Sequence, residues 1–178
     1  MILKKRVKIK EVGEGKFFED GELELHAYKL DHSIPCLAYV LKEKDKRKID
    51  LTYLKKFNLK QHPVLKDLQM GKDIVWKGKK ILASKATKIQ IGKKTCLIAD
   101  TGYTKNAIKA AKDSDLLICE STFKDELKEN ARDFKHLTTK QAAEIAKKAK
   151  TKKLILTHFS QRYKDTRDMK KEAESIFK

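Results

Sequence analysis

The stretch Leu154-Ile-Leu-Thr-His-Phe-Ser-Gln-Arg-Tyr163 starts as a buried strand and ends as something else. Its first four residues are apolar or β-branched, and two lysines precede them. That is how a strand covered on both faces reads. The run then delivers a histidine, an aromatic ring, a hydroxyl and an arginine where a plain turn would suffice. A polar cluster at the carboxyl end of a strand is the place where open α/β sheets keep their chemistry.

Working outward from this strand, the same pattern recurs. Thr95-Cys-Leu-Ile-Ala-Asp100 runs into Thr-Gly, and Asp115-Leu-Leu-Ile-Cys-Glu120 ends in a carboxylate. Helical patterns separate these runs. One covers about 105–112 with Thr104 as N-cap, and one follows Thr138-Thr139 in "TTKQAAEIAKKA"; a last helix is expected over 166–177. Alternation of strand and helix predicts an α/β layer with parallel strands. "KIQIG" and "TCLIAD" flank Gly92-Lys93, which reads as a hairpin turn. Strands are also expected at 5–11, 16–18, 23–30 and 36–42.

Four strand ends thus offer His32, Asp100, Glu120 and His158, and His136 lies just before a helix cap. Imidazole and carboxylate suit a borderline metal such as zinc. Each histidine taken singly also reads as a hydrogen-bonded structural residue, and an Asp before Thr-Gly is a common turn former. Both readings stand at this point.

The 178 residues suit one domain. Lys and Arg number 43 against 25 Asp and Glu, a net charge of +18, which fits either a polyanionic partner or a lysine-rich solvated surface. Residues 41–80 hold 13 of the basic and 5 of the acidic residues, with the single tryptophan, Trp76. Two short helical patterns there, near 51–56 and 63–70, look too short to bury much, so the stretch reads as a protruding basic arm. Cys36, Cys96 and Cys119 lie in apolar runs and read as buried thiols of a reducing cytosol, not a disulfide framework. No signal peptide or membrane span is expected, so the chain is read as cytoplasmic.

"KLDHSIPCLAYVL", "LIADTGYT", "DLLICESTF", "FKHLTTKQAAEIA" and "LILTHFSQRY", in that order, resemble the second half of the ribonuclease Z family, tRNA 3′-processing endonucleases of the metallo-β-lactamase superfamily. The resemblance implies the C-terminal portion of an αββα sandwich, one sheet with helices on its outer face and an apolar face or edge left open. It implies zinc, two ions per complete site, with His32, Asp100 and His158 as ligands. It implies His136 as proton donor to the leaving group, oriented by Glu120. It places Ser160, Arg162 and Thr138 where substrate phosphate is contacted. It implies that the basic stretch grips tRNA, with Lys55, Lys56, Lys60, Lys66 and Lys72 as exosite residues. The expected substrate is precursor tRNA, cut to release its 3′ trailer.

Three departures accompany the likeness. The motif His-x-His-x-Asp-His is absent from the 178 residues, and no two histidines are closer than His26 and His32. Cys119 and Ser121 flank Glu120 where the family carries His and Ala. The arm lacks a Gly-Pro-rich tip. The missing motif implies either a gene fragment or an enzyme split so that a separate polypeptide carries the first half, and the family's habit of dimerising implies a homo-oligomer. The alternatives are another phosphodiesterase or nuclease of the same fold, or a non-catalytic tRNA-binding remnant.

Overall fold

The computed structural model describes residues 9–178. The chain divides into two compact units, residues 1–42 with 93–178, and residues 43–92. Most of the strand expected at 5–11 lies outside the described residues, and residues 9–11 carry no strand.

The larger unit opens with β1 (Gly15–Glu19), β2 (Leu23–Lys29) and β3 (Leu37–Glu43). Asp20 forms the turn between the first two, its side chain accepting the backbone N–H groups of Glu22 and Leu23 at 2.7 and 2.9 Å. This Asx-type closure explains a tight turn without strained backbone.

Residues 43–92 fold around their own core. β4 (Lys46–Ile49) leads into α1 (Leu51–Leu54) and a 3₁₀ turn at Lys55–Phe57, followed by α2 (Leu65–Gln69). β5 (Ile74–Trp76) and β6 (Lys79–Ile81) form a hairpin, then α3 (Ala83–Ala86) and β7 (Thr87–Gln90) close the unit by pairing β7 antiparallel to β4. The hairpin turns through Lys77 and Gly78, both at positive φ (49° and 77°), the requirement of a type I′ turn. Leu54, Leu59, Leu68, Ile74, Ile81, Ala83 and Ala86 are buried together, with Tyr53, Phe57 and Trp76 against them. The short helices therefore bury a core, contrary to the expectation from their length. Each supplies only one or two apolar residues, but five elements supply them at once.

The chain then builds β8 (Lys94–Ile98), α4 (Lys105–Ala111), β9 (Leu116–Glu120), α5 (Lys128–Asp133), α6 (Thr139–Lys148), β10 (Leu154–Thr157) and α7 (Arg167–Glu174). The main sheet runs β1-β2-β3-β8-β9-β10, with β8, β9 and β10 parallel and β3 antiparallel to β8. Gly92-Lys93 is not a hairpin turn: β7 pairs with β4 and β8 with β3. Both pairings link strands some forty or more positions apart, which local turn chemistry cannot announce.

α4 is capped by Thr104, whose side chain accepts from Asn106 N–H, and buries Ala107, Ala110 and Ala111. α6 starts with a capping box, Thr138 and Gln141 each accepting the other's backbone N–H, and buries Ala142, Ala143, Ile145 and Ala146. These helices cover one face of the sheet, meeting Val40, Cys96, Ile98, Leu117 and Cys119, and α7 packs on α6. Alternation sends the residues between them to the other face. There Tyr39, Leu97, Ile118 and Ile155 stand in register across four strands. Tyr39, Leu97 and Ile155 are 43%, 40% and 50% exposed, so this apolar row is uncovered. Among the described residues, no helix is long and apolar enough to cross a membrane.

Gly92 sits where a Cβ would fall 2.0 Å from the Glu43 carbonyl oxygen. No side chain fits without backbone movement. Gly92→Ala is expected to lower stability by about 1–3 kcal/mol in urea unfolding, against at most about 0.5 kcal/mol for Gly21→Ala, whose Cβ would meet nothing within 4 Å.

Candidate metal centre

The carboxyl ends of the parallel strands bring their polar residues together. Asp100 follows β8, Glu120 ends β9 and His158 follows β10. His158 holds φ at +56°, a left-handed conformation that a histidine adopts only under constraint. It breaks the strand at that point and turns the imidazole onto the rim. His136 arrives from the loop between α5 and α6, after Lys135, which is also left-handed at φ +53°.

At the centre is a buried carboxylate. Glu120 is 0% exposed and accepts four hydrogen bonds. Oε1 accepts from the Thr101 N–H at 2.7 Å and from His136 Nδ1 at 3.0 Å. Oε2 accepts from the Thr122 hydroxyl at 2.6 Å and from the Leu137 N–H at 3.1 Å. A buried charge is tolerated when its lone pairs are occupied in this way.

The partners also fix the histidine tautomers. An ionised carboxylate only accepts, so His136 carries its proton on Nδ1. The Thr122 hydroxyl spends its one proton on Glu120, so at 2.8 Å it accepts from His158 Nδ1–H. His32 Nδ1 lies 3.0 Å from the Lys135 carbonyl, another pure acceptor. All three rings are left with an Nε2 lone pair.

Two of the rings, those of His136 and His158, gather with Asp100. One ligand atom from each of Asp100, His136 and His158 lies within 4.8 Å of the others. His158 Nε2 is 3.0 Å from Asp100 Oδ1, yet that oxygen is shielded from solvent and accepts no hydrogen bond. An imidazole nitrogen and a carboxylate oxygen held this close suit a shared cation, so the residues present fit a metal with nitrogen and oxygen donors.

The expected ligands are thus only partly gathered. Asp100 and His158 fall in the cluster, and His136, expected as a proton donor, joins them. His32 stands outside it, its ring centroid 5.0 Å from that of His136. Its loop is tied to the Asp-Thr-Gly turn: the Gly102 N–H donates to the Asp31 carbonyl at 2.7 Å, and the Asp31 N–H to Thr101 Oγ1 at 3.3 Å.

Ser160 and Arg162 lie beside the cluster. Arg162 Nε donates to Ser160 Oγ at 3.1 Å, and the guanidinium sits 5.0 Å above the Phe123 ring. Thr138 is fully buried, its hydroxyl accepting from the Gln141 N–H and donating to Asp125. It serves as the α6 cap. Lys55, Lys56, Lys60, Lys66 and Lys72 are all exposed on the 43–92 unit. Thr122 was not singled out from sequence. Its spacing, two residues after the strand-end carboxylate, was the available signal.

Cys119 is enclosed in the core, and burial pushes its thiol well above the usual range; burial raises the Cys96 thiol to about 12. Neither can serve as a thiolate ligand. A thiol reagent at about pH 8 is expected to leave both unmodified in the native chain and to reach them only after denaturation, followed by mass spectrometry.

The family described as beta-lactamase superfamily domain matches residues 85–159. The ribonuclease Z of Borreliella burgdorferi (strain ZS7) is 42% identical over 162 residues, covering 88% of this chain and 51% of the relative. The ribonuclease BN of Cronobacter sakazakii is 33% identical over 174 residues, covering 95% and 57%. Among solved structures, human tRNase Z, short form, superposes with a TM-score of 0.53 at 26% identity, covering 84% of this chain and 41% of that one. The metallo-β-lactamase fold protein YhfI from Bacillus subtilis gives 0.55 at 19% identity, covering 90% and 46%. The chain spans about half the length of the relatives it matches. By sequence and by fold, it is a part-length relative of ribonuclease Z with a metallo-β-lactamase architecture.

Proposed function

We propose that this chain supplies the C-terminal part of a zinc-dependent endoribonuclease that removes 3′ trailers from precursor tRNA. The observation that carries this reading is the convergence of histidine lone pairs on an orphaned Asp100 oxygen. Asp100 and His158 would hold the metal, with His32 reaching a neighbouring ion. Zinc would supply Lewis acidity, activating the attacking water and countering charge on the phosphate.

The chain's own residues provide the rest. Glu120 holds the His136 Nδ1–H and so orients the ring, whose Nε2 would pass a proton to the leaving 3′-oxygen. Arg162, propped by Ser160 and stacked on Phe123, offers a cation to the scissile phosphate. The lysines of the 43–92 unit would hold the tRNA body. Three ligand residues make an incomplete site. The reading therefore includes a second component, a first half bearing His-x-His-x-Asp-His, seated on the open sheet face along Tyr39, Leu97, Ile118 and Ile155.

Co-expression with such a half from a ribonuclease Z relative is expected to give a complex that binds zinc and releases trailer from precursor tRNA. His158→Ala should reduce cleavage by at least about 100-fold. A complex that binds no zinc would overturn the enzyme reading and leave the tRNA-binding remnant. Leu97→Asp should abolish association while the circular dichroism spectrum is retained; persistent association would overturn the docking face. Replacing Lys55, Lys56, Lys60, Lys66 and Lys72 by Ala should weaken tRNA binding and flatten its dependence on salt. An unchanged slope would remove the exosite from the proposal.

A further inference from the structure

Thr122 links the two histidines of the cluster. It is 7% exposed, and its hydroxyl lies 2.6 Å from Glu120 Oε2 and 2.8 Å from His158 Nδ1. The backbone holds it there: the Ser160 N–H donates to the Thr122 carbonyl at 3.1 Å, and the Ser121 N–H donates to the Thr157 carbonyl at 2.8 Å. The loop after β9 is thereby fastened to the loop after β10 on both sides of the hydroxyl.

We infer that Thr122 is a positioning residue for His158, carrying the charge of Glu120 to that ring so that one buried carboxylate sets the tautomer of both His136 and His158. The inference rests on the metal-centre reading for its purpose, though not for its geometry. The steps are forced by donor and acceptor counts. Glu120 Oε2 has no proton to give, so the Thr122 proton points at it. The hydroxyl's free lone pair then faces His158 and can only accept. His158 must present Nδ1–H inward, and in the neutral ring this leaves the Nε2 lone pair outward, toward Asp100. A free imidazole prefers the opposite tautomer, with the proton on Nε2, which would point a hydrogen at the place where a cation belongs.

His158 needs this guide more than His136 does. Its side chain is 46% exposed, its residue stands in a left-handed conformation, and its other ring nitrogen meets only Asp100 at the rim. His136 is 17% exposed, hydrogen-bonded to Glu120 directly and stacked on His158 with ring centroids 5.3 Å apart. The polar array is asymmetric: carboxylate to ring on one side, carboxylate through hydroxyl to ring on the other.

The test is long-range nitrogen–proton NMR of ¹⁵N-histidine-labelled chain, without metal and above the pH at which the rings are charged. The wild-type His158 signal is expected to show the Nδ1–H tautomer. Thr122→Val, close in shape but without the hydroxyl, should move it to mostly Nε2–H while His62 stays unchanged. Thr122→Ser should restore the wild-type pattern, which a purely structural role for the side chain would not require. In the complex with the complementary half, Thr122→Val should weaken zinc binding by about 10–100-fold, and Thr122→Ser by much less. A wild-type His158 protonated on Nε2 would overturn the inference with no variant needed, and so would a Thr122→Val spectrum identical to wild type. If the tautomers behave as expected and the complex still binds no zinc, the positioning role stands and the metal reading falls.

Discussion

Everything at the rim depends on burying one negative charge. The Glu120 carboxylate has no contact with water, and each of its two oxygens takes two donors. Removing any one donor leaves a lone pair unmatched in a low-dielectric setting, which is costly. The four donors come from three separate pieces of chain: the turn after β8, the loop after β9, and the loop before α6, which supplies both His136 and the N–H that follows it. The carboxylate therefore acts as a constraint on three loops at once. Two of those loops carry the Asp100 and His136 side chains, and the third carries Thr122, which meets His158. The sheet sets the strand ends a few ångströms apart, and Glu120 turns that proximity into a fixed arrangement of lone pairs.

The parallel part of the fold was legible because its signals are local. Apolar runs of five residues, Thr104 ahead of α4 and the Thr138–Gln141 box ahead of α6 all announce themselves within a few positions. The strand ends followed, and with them Asp100, Glu120 and His158. The covered and open faces were also implied, since alternation along β3, β8 and β9 divides their residues in two.

What sequence reading missed is non-local. The partner of β7 is β4 and the partner of β8 is β3, so the glycine between β7 and β8 joins two sheets and does not turn a hairpin. The 43–92 core is assembled from single apolar residues on several short elements, below the threshold at which periodicity shows. At the site, ligand type was readable and ligand grouping was not. His32 and His136 both follow polar, lysine-containing stretches, and only the tertiary fold shows that His136 sits in the cluster while His32 hangs beside it from the Lys135 carbonyl. Thr122 escaped notice because a hydroxyl carries no ligand signature. Its significance comes from having one proton and two partners.

The close approach at Gly92 has a wider meaning. The first and last residues of the 43–92 unit touch, and the flanking pair Lys42 and Lys94 are cross-strand partners in the main sheet. The insertion leaves and re-enters the sheet at almost the same point, so its length does not alter the register of β3 on β8. Such a segment is free to be shortened, extended or exchanged over evolutionary time, because loop closure is already provided by the strands that flank it. The residues at the strand ends and the lysine-rich 43–92 unit can then change at independent rates.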